Sequence, residues 1–210
     1  TGAVYPPNVI AAFAALCRAR SIALVLDETY RDFLAPGAPP HRLFQAVDWG
    51  DTLISLYSFS KAHAIPGHRL GAVMASSAVI TELAKWLDCI QICPARAAQG
   101  VIARAITEER DWRLAQADDL AQRAEATRQA FARLNGWSLV TAGAYFAFVR
   151  HPYEDARAVD VARRLALEAG VLALPGSYFG PGQEQHLRFA FANVDSKTIA
   201  EIPHRIAMLT

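Results

Sequence analysis

An α/β fold followed by a smaller α+β segment is predicted by three features of this 210-residue chain. Short apolar runs alternate with amphipathic helical stretches through the first half, the alternation expected of an α/β layer structure. A long pattern rich in Ala, Arg, Gln and Glu fills residues 111–135. Beyond it the texture changes to strand-like alternation interleaved with helix. The expected organisation is an α/β region over residues 1–114, a long bridging helix over 115–135 and a small α+β domain over 136–210.

The elements follow in order. "PPNVIAAFAALCRAR" opens on prolines and places Val9, Ile10, Phe13, Leu16 and Cys17 at helical spacing. "SIALVLD", "DTLISLYS" and "LGAVMA" are short continuous apolar runs, expected as strands buried on both faces. Ser77 is the expected cap of a helix carrying Val79, Ile80, Leu83, Trp86 and Leu87. "ARAAQGVIARAITEE" continues as helix after Pro94. The long helix stops at Asn135-Gly136. "WSLVTAGAYFAFVR" reads as two strands with a glycine turn, and "ARAVDVARRLALEAG" as an amphipathic helix ending on Gly170. "VLALPG" and "HLRFAFANVD" are strand-like. Asp195 caps a last helix through Leu209, with a kink expected at Pro203.

Composition narrows the function classes. Twenty-one basic against 20 acidic residues give a net charge of +1, so no field draws the chain to nucleic acid or to a membrane surface. No apolar run approaches the ~20 residues of a membrane span, and no signal-peptide pattern opens the chain. A soluble, cytoplasmic protein is expected. The three cysteines, Cys17, Cys89 and Cys93, suit a reducing compartment. Cys89 and Cys93 lie four apart but in apolar surroundings without a histidine cluster, so buried structural thiols are expected and no metal site is assigned.

Asp27 ends a strand, where ligands collect in α/β sheets, and Tyr30 follows three residues on. The aspartate suits a cation and the tyrosine can donate to an oxygen of the same ligand; a turn cap and a packing residue are the plain alternatives. Lys61 follows the next strand in "SFSKAHAIPGHRLG", with Ser58 and Ser60 before it and Arg69 eight residues after. A lysine becomes a nucleophile when its surroundings favour the neutral amine. An arginine with small hydroxyls forms a phosphate cradle.

"VLDETY", "SFSKAHAIPGHRLG" and "HLRFAFA", in this order, resemble the fold-type I, pyridoxal-phosphate-dependent aminotransferases of class I/II, the aspartate aminotransferase-like group. The resemblance implies part of the large cofactor-binding domain, a mostly parallel sheet with flanking helices, over residues 1–114, and the small C-terminal domain over 136–210. It implies that Lys61 forms the aldimine with pyridoxal 5′-phosphate, that Asp27 pairs with the pyridine nitrogen and that Tyr30 meets the phenolic oxygen. Ser58, Ser60 and Arg69 would hold the phosphate, and Arg188 would receive the substrate α-carboxylate. Tyr145 and Tyr178 lie in stretches that resemble segments near the family's substrate pocket. Substrates would be an amino acid and a 2-oxo acid, and the assembly a homodimer. A decarboxylase, lyase or synthase of the same fold, or a non-catalytic ligand-sensing domain of a regulator, stays open, because fold does not fix reaction. "TGAVYPP" resembles the point just after the family's NPxNP segment, so the chain is expected to be the C-terminal part of a longer protein.

Overall fold

A computed structural model describes residues 1–34 and 40–209. The chain divides into two compact units, Tyr5–Ala117 and Asp118–Thr210, the latter including Thr1–Val4. Both combine helices with sheet, and the fold class is α/β with mixed strand pairing.

In the unit Tyr5–Ala117, helix α1 (Pro7–Ala19) starts on prolines, whose missing N–H is no loss at a helix start. Strand β1 (Leu24–Asp27) pairs in parallel with β2 (Leu53–Ser58), which pairs antiparallel with β3 (Gly71–Met74). The order is β1-β2-β3. Burial on both faces, expected for all three strands, is met by none: the central strand buries one face, where Leu53 and Ser55 are 2% and 0% exposed, while Ile54 and Leu56 on the other are partly exposed. Val25 on β1 and Val73 on β3 are exposed, because nothing among the described residues covers them.

Helix α2 (Phe59–Ala62) is a single turn that follows β2 directly. Helix α3 (Ser77–Ile90) is capped by Ser76 rather than Ser77; the Ser76 oxygen accepts from the Val79 N–H at 3.4 Å. Ser76 has the extended backbone a cap requires, whereas Ser77 is already helical. None of the α3 residues is buried, and Trp86 and Ile90 are among its exposed apolar side chains. Cys89 and Cys93 are accordingly exposed and free, not buried thiols. No layer among the described residues covers the apolar face of α3 that was expected to bury them. Helix α4 (Arg96–Glu108) buries Ala98, Ile102 and Ala105 with Leu70, and Phe59 and Ile65 pack beside them.

Helix α5 (Arg110–Ala132) holds residues of both units. In the unit Asp118–Thr210 it buries Leu120, Ala124, Thr127, Ala130 and Phe131. Strands β4 (Ser138–Gly143) and β5 (Phe146–Arg150) form a hairpin whose left-handed residue is Ala144 (φ 50), not the glycine. After α6 (Ala158–Glu168), the pair Leu174–Pro175 forms β6 and His186–Ala190 forms β7. The antiparallel order is β4-β5-β7-β6. Alternation sends Ala147, Val149, Leu187 and Phe189 inward, and the Phe131 and Phe189 rings meet edge to face at 5.0 Å.

Two expected elements are shorter than their sequence patterns. "VLALPG" supplies only the two residues of β6, and "HLRFAFANVD" leaves the sheet at Ala190 for a turn over Phe191–Asn193. Pro203 does more than kink the last helix. It divides it into α7 (Ser196–Ala200) and α8 (Ile202–Ile206), because proline removes a helical N–H and clashes with the preceding turn. Asp195 caps α7 through the Thr198 N–H at 2.8 Å.

No helix among the described residues is long and apolar enough to cross a membrane. Nor do the described residues gather three or more His, Cys, Asp or Glu side chains in a metal-holding group.

Candidate active site

The parallel pair β1/β2 sets the first part of the site. Asp27 is in register with Leu56, so the ends of both strands lie on one edge of the sheet. The Asp27 Oδ1 accepts from the Thr29 N–H at 3.0 Å and from the Thr29 hydroxyl at 2.6 Å. These bonds fix the carboxylate and leave Oδ2 without a hydrogen-bond partner among the described residues. The geometry is a held carboxylate with one acceptor oxygen to offer a cation. Tyr30 begins the turn Arg31–Phe33 directly after it.

Beneath that edge lies a buried polar network that sequence reasoning missed. Glu28 continues the stripe of Leu24 and Leu26 and is 8% exposed. One of its oxygens accepts from the Ser55 hydroxyl at 2.6 Å, and the other lies 3.0 Å from His41 Nε2. The Leu43 N–H donates to His41 Nδ1 at 3.2 Å, so Nδ1 is the unprotonated nitrogen and Nε2 donates to Glu28. Arg31 adds a partly exposed cation at 3.5 Å. A carboxylate at an inward position of an apolar strand was the available signal; its partners, 13 and 27 residues away, were not readable.

The Tyr57 hydroxyl donates to Asp32 at 2.6 Å. Burial first, and that hydrogen bond second, push the phenol well above the usual tyrosine range. It is a structural donor, not an acid.

The turn after β2 carries the next group. Ser58 caps α2, its oxygen accepting from the Ser60 N–H at 3.3 Å. Ser60 and Ala62 are buried and Lys61 stands between them, half-buried. Two residues on, His63 is buried, which lowers its pKa, and the Arg113 charge lowers it further.

The chain then returns. Phe59 N–H donates to Leu70 O at 3.2 Å, and Ser58 pairs with Gly71 across β2 and β3. Arg69 is thereby held beside the end of β2, in the left-handed region (φ 53), with a bond from Nη1 to Pro66 O at 2.7 Å. Gly71 is required for this closure, since a Cβ there would sit 2.9 Å from the Tyr57 carbonyl oxygen. Asp27, Tyr30, Ser58, Ser60, Lys61 and Arg69 thus all belong to one unit and to one edge of one sheet.

Arg188 and Tyr178 belong to the other unit. Arg188 lies opposite Phe148 in the β5–β7 register, which puts Phe146 on the same face. Its guanidinium carbon lies over two rings, 4.2 Å from the centroid of Phe146 and 4.2 Å from that of Phe179. Its Nε is buried without a hydrogen-bond partner, and no carboxylate among the described residues comes within ion-pair distance. Tyr178, in the turn Gly176–Phe179, is 67% exposed, and Tyr145 is half-buried at the hairpin. The residues that touch Arg188 are therefore their neighbours Phe179 and Phe146. Alternation along β5 carried that signal, but only the pairing of β5 with β7 shows which face bears the arginine.

Comparison with known proteins gives the family. The family model described as aminotransferase class I and II matches residues 1–206. An aspartate aminotransferase of Pyrococcus abyssi and an aromatic-amino-acid aminotransferase of Thermococcus litoralis are each 26% identical over 201 residues, covering 94% of this chain and 51% of theirs. The crystal structure of an aromatic aminotransferase from Pyrococcus horikoshii superposes with a TM-score of 0.85 at 26% identity, covering 98% of this chain and 56% of that one. An aspartate aminotransferase structure from Thermus thermophilus gives 0.86 at the same identity, over 99% and 53%. The chain spans about half the length of the curated relatives it matches. With the motifs, the sheet edge and the fold in agreement, the chain belongs to the aminotransferase class I and II family.

Proposed function

We propose that this chain supplies the lysine, pyridine, phosphate and carboxylate contacts of a pyridoxal 5′-phosphate-dependent aminotransferase, which moves an amino group between an amino acid and a 2-oxo acid. The observation that carries the reading is the single sheet edge holding Asp27 on one strand and Ser58, Ser60 and Lys61 after its parallel neighbour, with Arg69 brought back by β3. The names of the relatives, aspartate and aromatic-amino-acid aminotransferases, support an amino acid and a 2-oxo acid as substrates.

The residues fit the cofactor. The uncommitted Oδ2 of Asp27 suits a protonated pyridine nitrogen, and Tyr30 beside it suits the phenolic oxygen. Ser58, Ser60 and Arg69 offer two hydroxyls and a planar cation to a phosphate. When bound, pyridoxal phosphate supplies an electron sink for the substrate Cα.

Asp27 keeps that sink effective by holding the ring proton. Lys61 is the residue whose amine would hold the cofactor through its aldehyde, and as a free amine it would take the proton from the substrate Cα as a general base and give it back as an acid. Arg188 fixes the substrate carboxylate through two parallel hydrogen bonds, which selects the Cα bond that reacts. In the same reading residues 1–114 belong to a large cofactor domain, 115–135 to the connecting helix and 136–210 to a small domain. A cytoplasmic homodimer completes it, by family membership.

This chain has three lysines, Lys61, Lys85 and Lys197. Lys85 is spent in an exposed pair with Glu82 at 2.6 Å, and Lys197 lies in the first turn of α7. Borohydride reduction of the cofactor-loaded protein, followed by peptide mass mapping, is expected to place the pyridoxyl mass on Lys61. Label on Lys85 or Lys197 instead overturns the assignment.

A further inference from the structure

Arg188 presents a physical problem. It is a half-buried cation with a buried Nε that makes no hydrogen bond, and no carboxylate among the described residues pairs with it. A cation withdrawn from water needs compensation, which an ion pair ordinarily provides. Here two ring faces stand in its place, with both centroids 4.2 Å from the guanidinium carbon. Each ring presents the negative face of its quadrupole to the cation and accepts none of its N–H donors. The charge is stabilised while the donors stay unspent.

We propose that Phe146 and Phe179 are positioning residues that hold the Arg188 guanidinium in place and unpaired for the carboxylate of the substrate. The proposal rests on the aminotransferase reading, in which Arg188 receives that carboxylate. A resident Asp or Glu in place of the rings would compete with the substrate for the same two parallel hydrogen bonds. The rings avoid that competition. With its carbon 4.2 Å from each ring centroid, the guanidinium keeps its N–H groups for a carboxylate.

The scaffold holds the two rings by different means. Phe146 is fixed on β5, two pairs along from the Phe148–Arg188 pair of the β5–β7 ladder and so on the same face. Phe179 ends the tight turn Gly176–Phe179. That turn packs so closely on the first residue of β7 that a Cβ at Gly176 would sit 2.5 Å from the His186 carbonyl oxygen. The backbone of the turn is therefore pressed against the start of the strand that carries Arg188.

The test uses the protein expressed from its complete reading frame and loaded with cofactor. Propionate is the probe, a carboxylate with no amino or keto group to react, and its Kd is read by saturation-transfer NMR. Phe179→Leu and Phe146→Leu are each expected to weaken propionate binding roughly three- to thirty-fold. Phe179→Tyr, which keeps the ring, is expected to restore it.

A fluorination series separates a cation–π role from packing. Mono-, di- and trifluorophenylalanine at position 179 keep the shape but progressively weaken the negative ring face. Propionate affinity is expected to fall in that order at unchanged thermal midpoint. A flat series overturns the proposal, also where a leucine variant fails to fold. Arg188→Leu separates the two levels. If it loses propionate while the fluorinated series stays flat, only the positioning role falls. If Arg188→Leu binds propionate like the parent, the carboxylate reading of Arg188 falls with it.

Discussion

Glu28→Ala is expected to be among the most damaging single changes in the unit Tyr5–Ala117. The substitution removes the acceptor for two donors whose side chains have almost no access to water: His41 at 1% side-chain exposure and Ser55 at 0%. Each stranded buried donor costs about 1–3 kcal/mol, so the pair accounts for about 2–6 kcal/mol. The Arg31 pair adds little, ~1 kcal/mol at most, because its arginine side chain is 31% exposed and solvent screens it.

The expected net loss is about 4 kcal/mol, a large part of the stability of an ordinary domain. Glu28→Gln should cost less, because the amide oxygen still accepts from one donor. Urea melts of the complete protein measure these losses, followed by a probe in this unit such as the Trp49 and Trp86 fluorescence. The double variant Glu28→Ala/Ser55→Ala should lose about 1–2 kcal/mol less than the sum of the singles, because the serine is no longer stranded. A Glu28→Ala protein within about 0.5 kcal/mol of its parent, or a strictly additive double variant, would refute the network as a buried acceptor for two donors.

Two further outcomes follow. His63, His151 and His186 all have pKa values lowered below 6.5, chiefly by burial, so the folded protein prefers them neutral while the unfolded chain takes up protons first. That stability is fully present above pH 6.5 and lost as pH falls from there through the folded-state values; urea midpoints at pH 7.5 and 5.5 should therefore drop at the lower pH, and equal midpoints contradict the burial argument. Gly71→Ala places a Cβ 2.9 Å from the Tyr57 carbonyl oxygen, so the β2–β3 pairing must shift at a cost of about 1–3 kcal/mol. Because Arg69 lies two residues upstream, the variant should also retain pyridoxal phosphate less well in equilibrium dialysis, and unchanged stability and retention would show that the closure is slack.

The alternation of apolar runs and helical stretches was legible because strand and helix periods are local properties of the chain. So was the sequence of chemistry-bearing residues at strand ends, since Asp27, Ser58 and Lys61 lie within a few residues of the apolar runs that place them. Local signals also carried errors of one residue or one layer. Ser77 and Ser76 are equal as cap candidates until the backbone chooses the extended one. Apolar runs show which side chains avoid water, but not whether a layer is present to cover them. Val25, Val73 and the α3 face that carries Cys89 are therefore exposed despite their composition.

Pairing between distant segments lies outside local periodicity altogether. Glu28 finds Ser55 only when β1 meets β2, and Arg188 meets Phe146 only when β7 lies against β5. Which residues have the chemistry is legible in the chain alone, because side-chain type is written there directly. The tertiary structure alone decided which of them compensate a buried charge, because that depends on groups brought within a few ångströms from far along the chain.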